Sequence, residues 1–334
     1  MKNNKLECKT IWIAWERHRR TVELCKHFKF TLFAFVSNRN RVIKHTYFCC
    51  KTVYTLIKYR PQTLIVQNPS VVLTFIACVL KRVFGYSLIV DTHNGGILPE
   101  NKILQKLPFI FKYFQRKACF SIVTNVQLAK KIANNNGLSF VLPDKIPDFY
   151  VVRSKEMSKD IISVVCICTY GIDEPYEELL KSIGDFDNSI RFYVTGNIGN
   201  LAKNGFNYKA ENVVFTGFLP EADYWKLLCS ADLIVDLTKR EDCLVCGAYE
   251  ALAVEVPMLL SDTAALRNYF FKGAVFSKNT AEDLSRNILY AVSNIETLKK
   301  EVLEAKTELK NMWVEKAAEF MLAVEKNRKY RFEK

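Results

Sequence analysis

Residues 242–252 read DCLVCGAYEAL and continue as AVEVPMLLSDTAALRNYF to residue 270. A strand predicted over 232–236 leads into a loop of charged residues, the loop opens a helix near Gly247, and one carboxylate, Glu250, falls on an early turn. The first N–H groups of a helix have no partner inside it and lie at the positive end of its dipole, which suits a diphosphate. A carboxylate nearby can accept both hydroxyls of a ribose diol in charge-assisted hydrogen bonds. The stretch is a nucleotide-sugar pocket in outline, set at a strand-to-helix crossing.

Working outward, apolar, β-rich runs alternate with helical patterns twice over. Strands are predicted at 10–14, 30–36, 63–67, 87–91, 121–124 and 139–142. They are predicted again at 161–168, 190–195, 212–216, 232–236, 257–260 and 274–276. Continuous apolar strands separated by helices mark parallel sheets covered on both faces. The expected fold is therefore α/β, with two doubly wound, Rossmann-like parallel-sheet domains facing a cleft. Domain bounds are expected at 1–152 and 153–312, with a further helix over 313–334.

Asp242 and Glu250 stand at acidic-x7-acidic spacing, with a small-residue helix behind them and a Pro-led strand after it. Upstream, residues 211–232 read ENVVFTGFLPEADYWKLLCSAD. In these features the chain resembles the retaining GT-B glycosyltransferases of family 4, strongly over 211–270 and loosely elsewhere. The resemblance implies that Asp242 contacts the sugar and Glu250 the ribose, that the first domain is the acceptor side and the second the nucleotide-sugar side, and that the helix over 313–334 crosses back to the first domain. Two departures bear on the phosphates. The family's Glu and Pro-Phe-Gly are here Asp242, Cys243, Leu244 and Val245, and its Arg and Lys after the first strand of the second domain are missing from TYGIDEP at 169–175. Phosphate contact then falls to the backbone of Val245, Cys246 and Gly247, helped by Lys239 or Arg240. Tyr170 with Gly171, and Gly196 with Asn197, follow second-domain strands and are expected to shape the base and phosphate pocket.

In the first half VDTHNGG at 90–96 follows a buried strand, so Asp91, His93 and Asn94 sit at the carboxyl edge of the sheet, where open α/β folds bind ligands. Gly95 and Gly96 allow close backbone approach. With Gln67, Asn68 and Pro69 this segment resembles the first domain of the dolichol-linked chitobiose β-mannosyltransferases and related GT-B enzymes. Those invert the anomeric centre, so the two halves point to different stereochemistry. His93 and Asp91 join Asp242 as the candidate catalytic residues. WERHRR at 15–20 follows the first strand, and Glu16, Arg17, His18 or Arg20 could hold a phosphate-bearing acceptor there.

Charge is divided unevenly along the chain. Residues 1–155 carry 26 Lys and Arg against 7 Asp and Glu, a balance of +19, and the remainder is at −6. Such asymmetry points to an anionic ligand or surface met by the first domain. No nucleic-acid-binding motif appears, so no nucleic-acid partner is expected. KILQKLPFIFKYFQRK at 102–117 projects as one amphipathic helix with Ile103, Leu104, Leu107, Ile110, Phe111 and Phe114 on its apolar arc. Lys102, Lys106, Lys112, Arg116 and Lys117 lie opposite with Phe109 and Tyr113, a mixture suited to an anionic membrane surface or to an ordinary solvated face, and Pro108 is a point at which the helix can break. The apolar run 71–80 is too short to span a bilayer and reads as a buried crossover helix. The sequence has no apolar leader at its start, and its eleven cysteines are an odd number scattered through apolar segments, which implies reduced thiols in the cytoplasm. Cys243 and Cys246 are two residues of the four that structural zinc requires, and no metal or other cofactor is expected.

The expectation is a cytoplasmic, metal-independent glycosyltransferase, peripheral on a membrane, in surface-polysaccharide or glycan assembly. It would move a sugar from a nucleotide-sugar donor to a lipid-linked or saccharide acceptor. A sugar-nucleotide 2-epimerase of the same fold and a catalytically inactive GT-B partner subunit are the alternatives. The lack of a Gly-x-Gly-x-x-Gly after any predicted strand argues against a Rossmann dehydrogenase.

Overall fold

The structure, a computed structural model, describes residues 9–38, 40–99, 101–149, 161–203, 208 and 210–329. Two compact units divide the chain: Met1–Lys145 with Trp313–Lys334, and Ile146–Met312. The boundary expected at 152/153 lies outside the described residues.

The first unit is a six-stranded sheet in the order β2-β1-β3-β4-β5-β6, every neighbouring pair parallel. Its strands are β1 (Thr10–Ala14), β2 (Thr31–Ala34), β3 (Thr63–Asn68), β4 (Ser87–Thr92), β5 (Phe120–Val123) and β6 (Ser139–Val141). The intervening helices are α1 (Arg19–Phe28), α2 (Arg41–Tyr59), α3 (Val71–Phe84), α4 (Lys102–Gln105), α5 (Pro108–Lys117) and α6 (Val126–Asn134). Strands β1, β3 and β4 are buried at every position, as expected for apolar runs covered on both faces. One face packs Ile11, Leu64, Val66 and Leu88 against Phe48, Leu56, Leu73, Ala77 and Phe114 of α2, α3 and α5. On the other, Trp12, Ile65 and Ile89 meet Leu24 of α1 and Trp313, Ala317 and Phe320.

The second unit repeats the scheme in the order β12-β11-β10-β7-β8-β9, again wholly parallel. Its strands are β7 (Ile162–Ile167), β8 (Ile190–Thr195), β9 (Val213–Gly217), β10 (Leu233–Asp236), β11 (Met258–Ser261) and β12 (Ala274–Ser277). The helices are α7 (Tyr176–Ile183), α8 (Ile198–Lys203), α9 (Glu221–Ser230), α10 (Cys246–Val254), α11 (Ala264–Tyr269), α12 (Ala281–Ser293) and α13 (Ile295–Lys329). Helix α10 is buried from Gly247 to Val254, so its small residues bring it close to the sheet. Its start is sterically specified. A Cβ at position 247 would run into Asp236 Oδ2 and Ile167 Cδ1. Helix α13 serves both units, its Val302, Ala305 and Leu309 joining the second core and its residues from Trp313 the first. Trp313 Nε1 donates to Pro143 O at 3.0 Å and fixes that end.

Two expectations are corrected here. Residues 102–117 form two helices, α4 and α5, divided at Pro108 as its missing N–H allows, so the single helical projection fails across the break. Ile103, placed on the apolar arc by a single projection, is exposed. Residues 71–80 do form a helix, yet it is not buried all round: Leu73, Thr74, Ala77 and Cys78 face the core while Val72, Phe75 and Val79 are exposed. Among the described residues no helix is long and apolar enough to cross a membrane. No disulfide joins the described cysteines; Cys8 lies outside them. Cys166 and Cys168 are buried, and burial pushes both thiols up.

Candidate active site

In a parallel sheet all loops that follow strands gather at one edge. In the second unit that edge collects the segments after β7, β8 and β10. The β10–α10 loop carries the half-buried Asp242, then Val245 as N-cap, Cys246 and Gly247. Glu250 is 8% exposed, and its Oε2 accepts the Tyr224 hydroxyl from α9 at 2.5 Å. A phenol donating to a carboxylate holds it in one orientation. Tyr224 belongs in the site, and only the three-dimensional pairing of α9 with α10 reveals it.

The expectation for Gly247 needs correcting. Its N–H donates to Asp236 Oδ2 at 2.7 Å, so that helix-end amide is satisfied within the protein. Asp236, at the end of β10, is the carboxylate that sequence reading passed over. Burial raises its carboxyl from 3.8 to about 8, with Glu250, Glu174 and Asp173 pushing the same way and the Gly247 N–H opposing. An uncharged Asp236 at neutral pH removes one negative charge from this sheet edge.

Asp236 also yields a prediction for stability. A carboxyl whose folded pKa lies above its unfolded value keeps a proton that the unfolded chain has lost, so its contribution is fullest below about pH 4 and is lost as pH rises toward about 8. The thermal midpoint should accordingly fall between about pH 5 and pH 8, and Asp236→Asn, which cannot ionise, should flatten that fall. Parallel pH curves for the two proteins would remove the protonated Asp236.

The loop after β7 has a second arrangement not foreseen from sequence. Glu174 Oε2 accepts the N–H groups of Thr169 and Tyr170, both at 2.8 Å, and of Gly171 at 3.3 Å. Its Oε1 accepts the Thr169 hydroxyl at 2.6 Å. Successive amides converging on one anion form a nest. Here the chain's own carboxylate fills it, where the resemblance expects basic side chains. Tyr170 has φ 60°, the left-handed conformation that this tight wrap demands. Arg240 Nε pairs with Asp173 Oδ2 at 2.9 Å, and Lys239 Nζ donates to Ile172 O at 3.4 Å, so both bases border the same loop. Gly196, φ 100°, packs so closely on Cys168 O that no side chain fits, and Asn200 Nδ2 reaches Thr169 O at 3.5 Å. Asn197 turns the same segment by accepting from Gly199 N at 2.9 Å. Tyr170, Gly171, Gly196, Asn197, Lys239 and Arg240 thus converge at one edge.

In the first unit the same edge gathers the segments after β1, β3, β4 and β6. His93 Nε2 lies 3.1 Å from Asp91 Oδ2, and Asp91 is buried. Burial alone would raise the Asp91 carboxyl, but Arg20 and His93 outweigh it and hold it at about 2. The imidazole is thereby fixed by an ionised carboxylate, an arrangement suited to general acid–base work. His18 stacks edge-on against His93 with ring centroids 4.7 Å apart. Its pKa is lowered, by burial first and then by the neighbouring His93.

Arg20 corrects another expectation. Rather than reaching an acceptor, it is buried beneath the site, bonding Asp91 Oδ1 at 3.4 Å, Leu142 O at 2.8 Å and Asp144 Oδ1. Glu16 and Arg17 stay exposed, Glu16 accepting from Gln67 Nε2 at 3.1 Å. Asn94, Gly95 and Gly96 make a short 3-10 turn, its Gly96 O within 3.5 Å of Asn68 Nδ2. Among the described residues Gln67 Oε1, Asn68 Oδ1 and His18 Nδ1 are buried without a hydrogen-bond partner. Buried polar atoms are rarely left unpaired, and three at one sheet edge mark a place for hydroxyl donors. Directly after the turn, Ile97, Leu98, Pro99, Leu104, Pro108 and Phe111 line most of a groove of about 360 Å³ that Gln105, Lys112, Gln115 and Asn135 complete.

Comparison with known proteins places these features. Residues 174–323 match the family described as Glycosyl transferase-like. No curated protein sequence matches the chain. Among solved structures, sucrose-phosphate synthase from Thermosynechococcus elongatus is similar at 14% identity with a TM-score of 0.77, covering 95% of this chain and 98% of that one. HepE from Anabaena, solved with UDP-glucose, is similar at 10% identity and a TM-score of 0.70, covering 94% and 99%. A putative UDP-N-acetylglucosamine 2-epimerase from Listeria monocytogenes is similar at 13% identity with a TM-score of 0.61, covering 95% of each chain. The family match lies over the segment that holds Asp242 and Glu250, and the two-sheet GT-B architecture is shared with these structures along nearly the whole length of the chain.

Proposed function

We propose that the protein transfers a sugar from a nucleotide diphosphate sugar, bound at the β10–α10 junction, to a lipid-linked or saccharide acceptor bound at the carboxyl edge of the first unit. The observation that carries this reading is Glu250, held by Tyr224 beside the start of a buried helix, where it can accept a ribose diol. The HepE structure was solved with UDP-glucose, which makes a uridine diphosphate sugar the first donor to test. Asp242 would contact sugar hydroxyls, while Lys239, Arg240 and the remaining helix-end amides offset the departing diphosphate without a metal ion. At the acceptor, His93 held by Asp91 moves the proton and Gln67, Asn68 and His18 accept hydroxyls. The largely apolar groove beside the Asn94–Gly96 turn fits a hydrocarbon portion of the acceptor, and the basic first unit fits an anionic membrane surface, as in surface-polysaccharide or glycan assembly.

Calorimetry with Glu250→Ala tests the donor half. Two charge-assisted hydrogen bonds are each worth about 1.5–3 kcal/mol, so affinity for the UDP sugar should drop more than about tenfold in a folded variant. Unchanged affinity would remove Glu250 from the site. One observation favours an inactive partner subunit: Glu174 fills the amide nest after β7. Donor binding without any turnover would support that reading, and a 2-epimer of the free nucleotide sugar as product would favour the epimerase.

A further inference from the structure

Helix α3 is apolar on two sides. Leu73, Ala77 and Cys78 face the sheet, while Val72, Phe75, Val79 and Val83 form an outward stripe at i, i+3, i+7 and i+11. Phe75, Val79 and Val83 are 53%, 46% and 73% exposed. A solvated helix face is ordinarily polar, and a contiguous exposed apolar stripe marks an interaction surface.

The helices packed on either side carry the stripe further. On α2, Val42, Ile43, Tyr54 and Ile57 are exposed, and on α5, Phe109 and Tyr113. The three helices cover the same face of the sheet and share one core. Basic heads stand among these groups: Lys51 Nζ lies 4.7 Å from the Tyr47 ring centroid, Lys58 Nζ 5.8 Å from Tyr54, and Lys117 Nζ 5.6 Å from Tyr113. The sequence has no acidic residue between Leu24 and Val90 or between Asn101 and Pro143, so this face carries no carboxylate of its own from those segments.

We propose that the α2–α3–α5 face docks on a lipid bilayer containing anionic lipid, with the α3 stripe entering the headgroup boundary and the lysines of α2 and α5 meeting lipid phosphates. Apolar side chains shallowly inserted, aromatic rings at the boundary and cations around them are the ordinary composition of an interfacial helix surface. A hydrophobic protein partner would account for the stripe but not for the acid-free surroundings. The inference gives a surface to the membrane part of the proposed function and rests on it, independently of the donor chemistry.

Flotation with vesicles of phosphatidylcholine, with and without about one third phosphatidylglycerol, tests this. The full chain should float with the anionic vesicles at low salt and much less with the neutral ones, since exposed lysines lose their attraction as salt screens it. Phe75→Asp/Val79→Asp should cut anionic-vesicle binding at least about tenfold, because charges replace inserted apolar groups. A Phe75→Trp variant reports insertion directly, because Trp12, Trp15, Trp225 and Trp313 are all buried and the new indole is the surface probe. Its emission should shift to the blue on adding anionic vesicles. Calorimetric binding of UDP-glucose should be the same in the double Asp variant as in the parent, which separates failure of docking from failure of the donor site. Equal vesicle binding by the double variant, or no blue shift, would overturn the proposal. So would a dimer in solution that the double variant dissociates while neither protein floats, which would give the face to a second copy of the chain.

Discussion

Replacing Arg20 by methionine should cost about 3–5 kcal/mol of unfolding free energy, the largest stability change expected of a single polar substitution here. The guanidinium is buried, and it neutralises Asp91 and Asp144 while also capping Leu142 O. Methionine fills a similar volume, so the loss would come chiefly from charge. Asp91 is buried and would keep only His93 as a partner, and a buried carboxylate that has lost its guanidinium either stays ionised at high cost or takes up a proton. The proton route ties the effect to pH. Asp91 now titrates at about 2, below its ordinary 3.8, so its stabilising contribution is present above about pH 4 and is lost as pH falls toward 2. Without Arg20 that pKa should rise, moving acid unfolding to higher pH. Arg20→Met/Asp91→Asn, which removes both charges, should recover part of the loss. Denaturant titrations of the three proteins decide it: if the single variant costs less than about 1 kcal/mol, a surface-like value, the buried ion cluster does not hold the β1, β4 and β6 ends together.

His93→Ala is expected to slow turnover about 10- to 1000-fold while leaving UDP-sugar affinity near that of the parent. His93 lies in the first unit, fixed by Asp91, whereas the donor groups lie at the β10–α10 junction, so loss of the imidazole should appear in kcat rather than in donor binding. Asp91→Asn should lower kcat through the orientation of the ring, with the pH–rate profile displaced. In the same assay turnover should persist in EDTA, because helix-end amides and the bases at 239 and 240 are proposed to meet the diphosphate. A His93→Ala enzyme that turns over like the parent, or activity abolished by EDTA and restored by Mg²⁺ or Mn²⁺, would reject this division of labour.

Sequence alone determined the repeated strand–helix alternation and hence the two parallel sheets. Uninterrupted apolar strands such as TLIVQN in β3 and LIVD in β10 are readable because burial on both faces leaves no polar alternation to confuse them. It also determined which segments reach the sheet edges, because in a parallel sheet every strand's following loop emerges at the same end. The pairings made there were decided by the tertiary structure. Arg20 meets Asp91 and Asp144 across 71 and 124 residues, and Tyr224 meets Glu250 across 26, distances at which no local spacing predicts contact. The same holds for Asp236, whose capture of the Gly247 amide and whose raised pKa follow from how closely α10 lies on the sheet. Pro108 marked a possible break in residues 102–117 from sequence, but periodicity could not show that the second apolar stripe of α3 faces outward. An amphipathic pattern records which side chains are apolar, while only the packing of neighbouring helices determines which apolar face finds a partner.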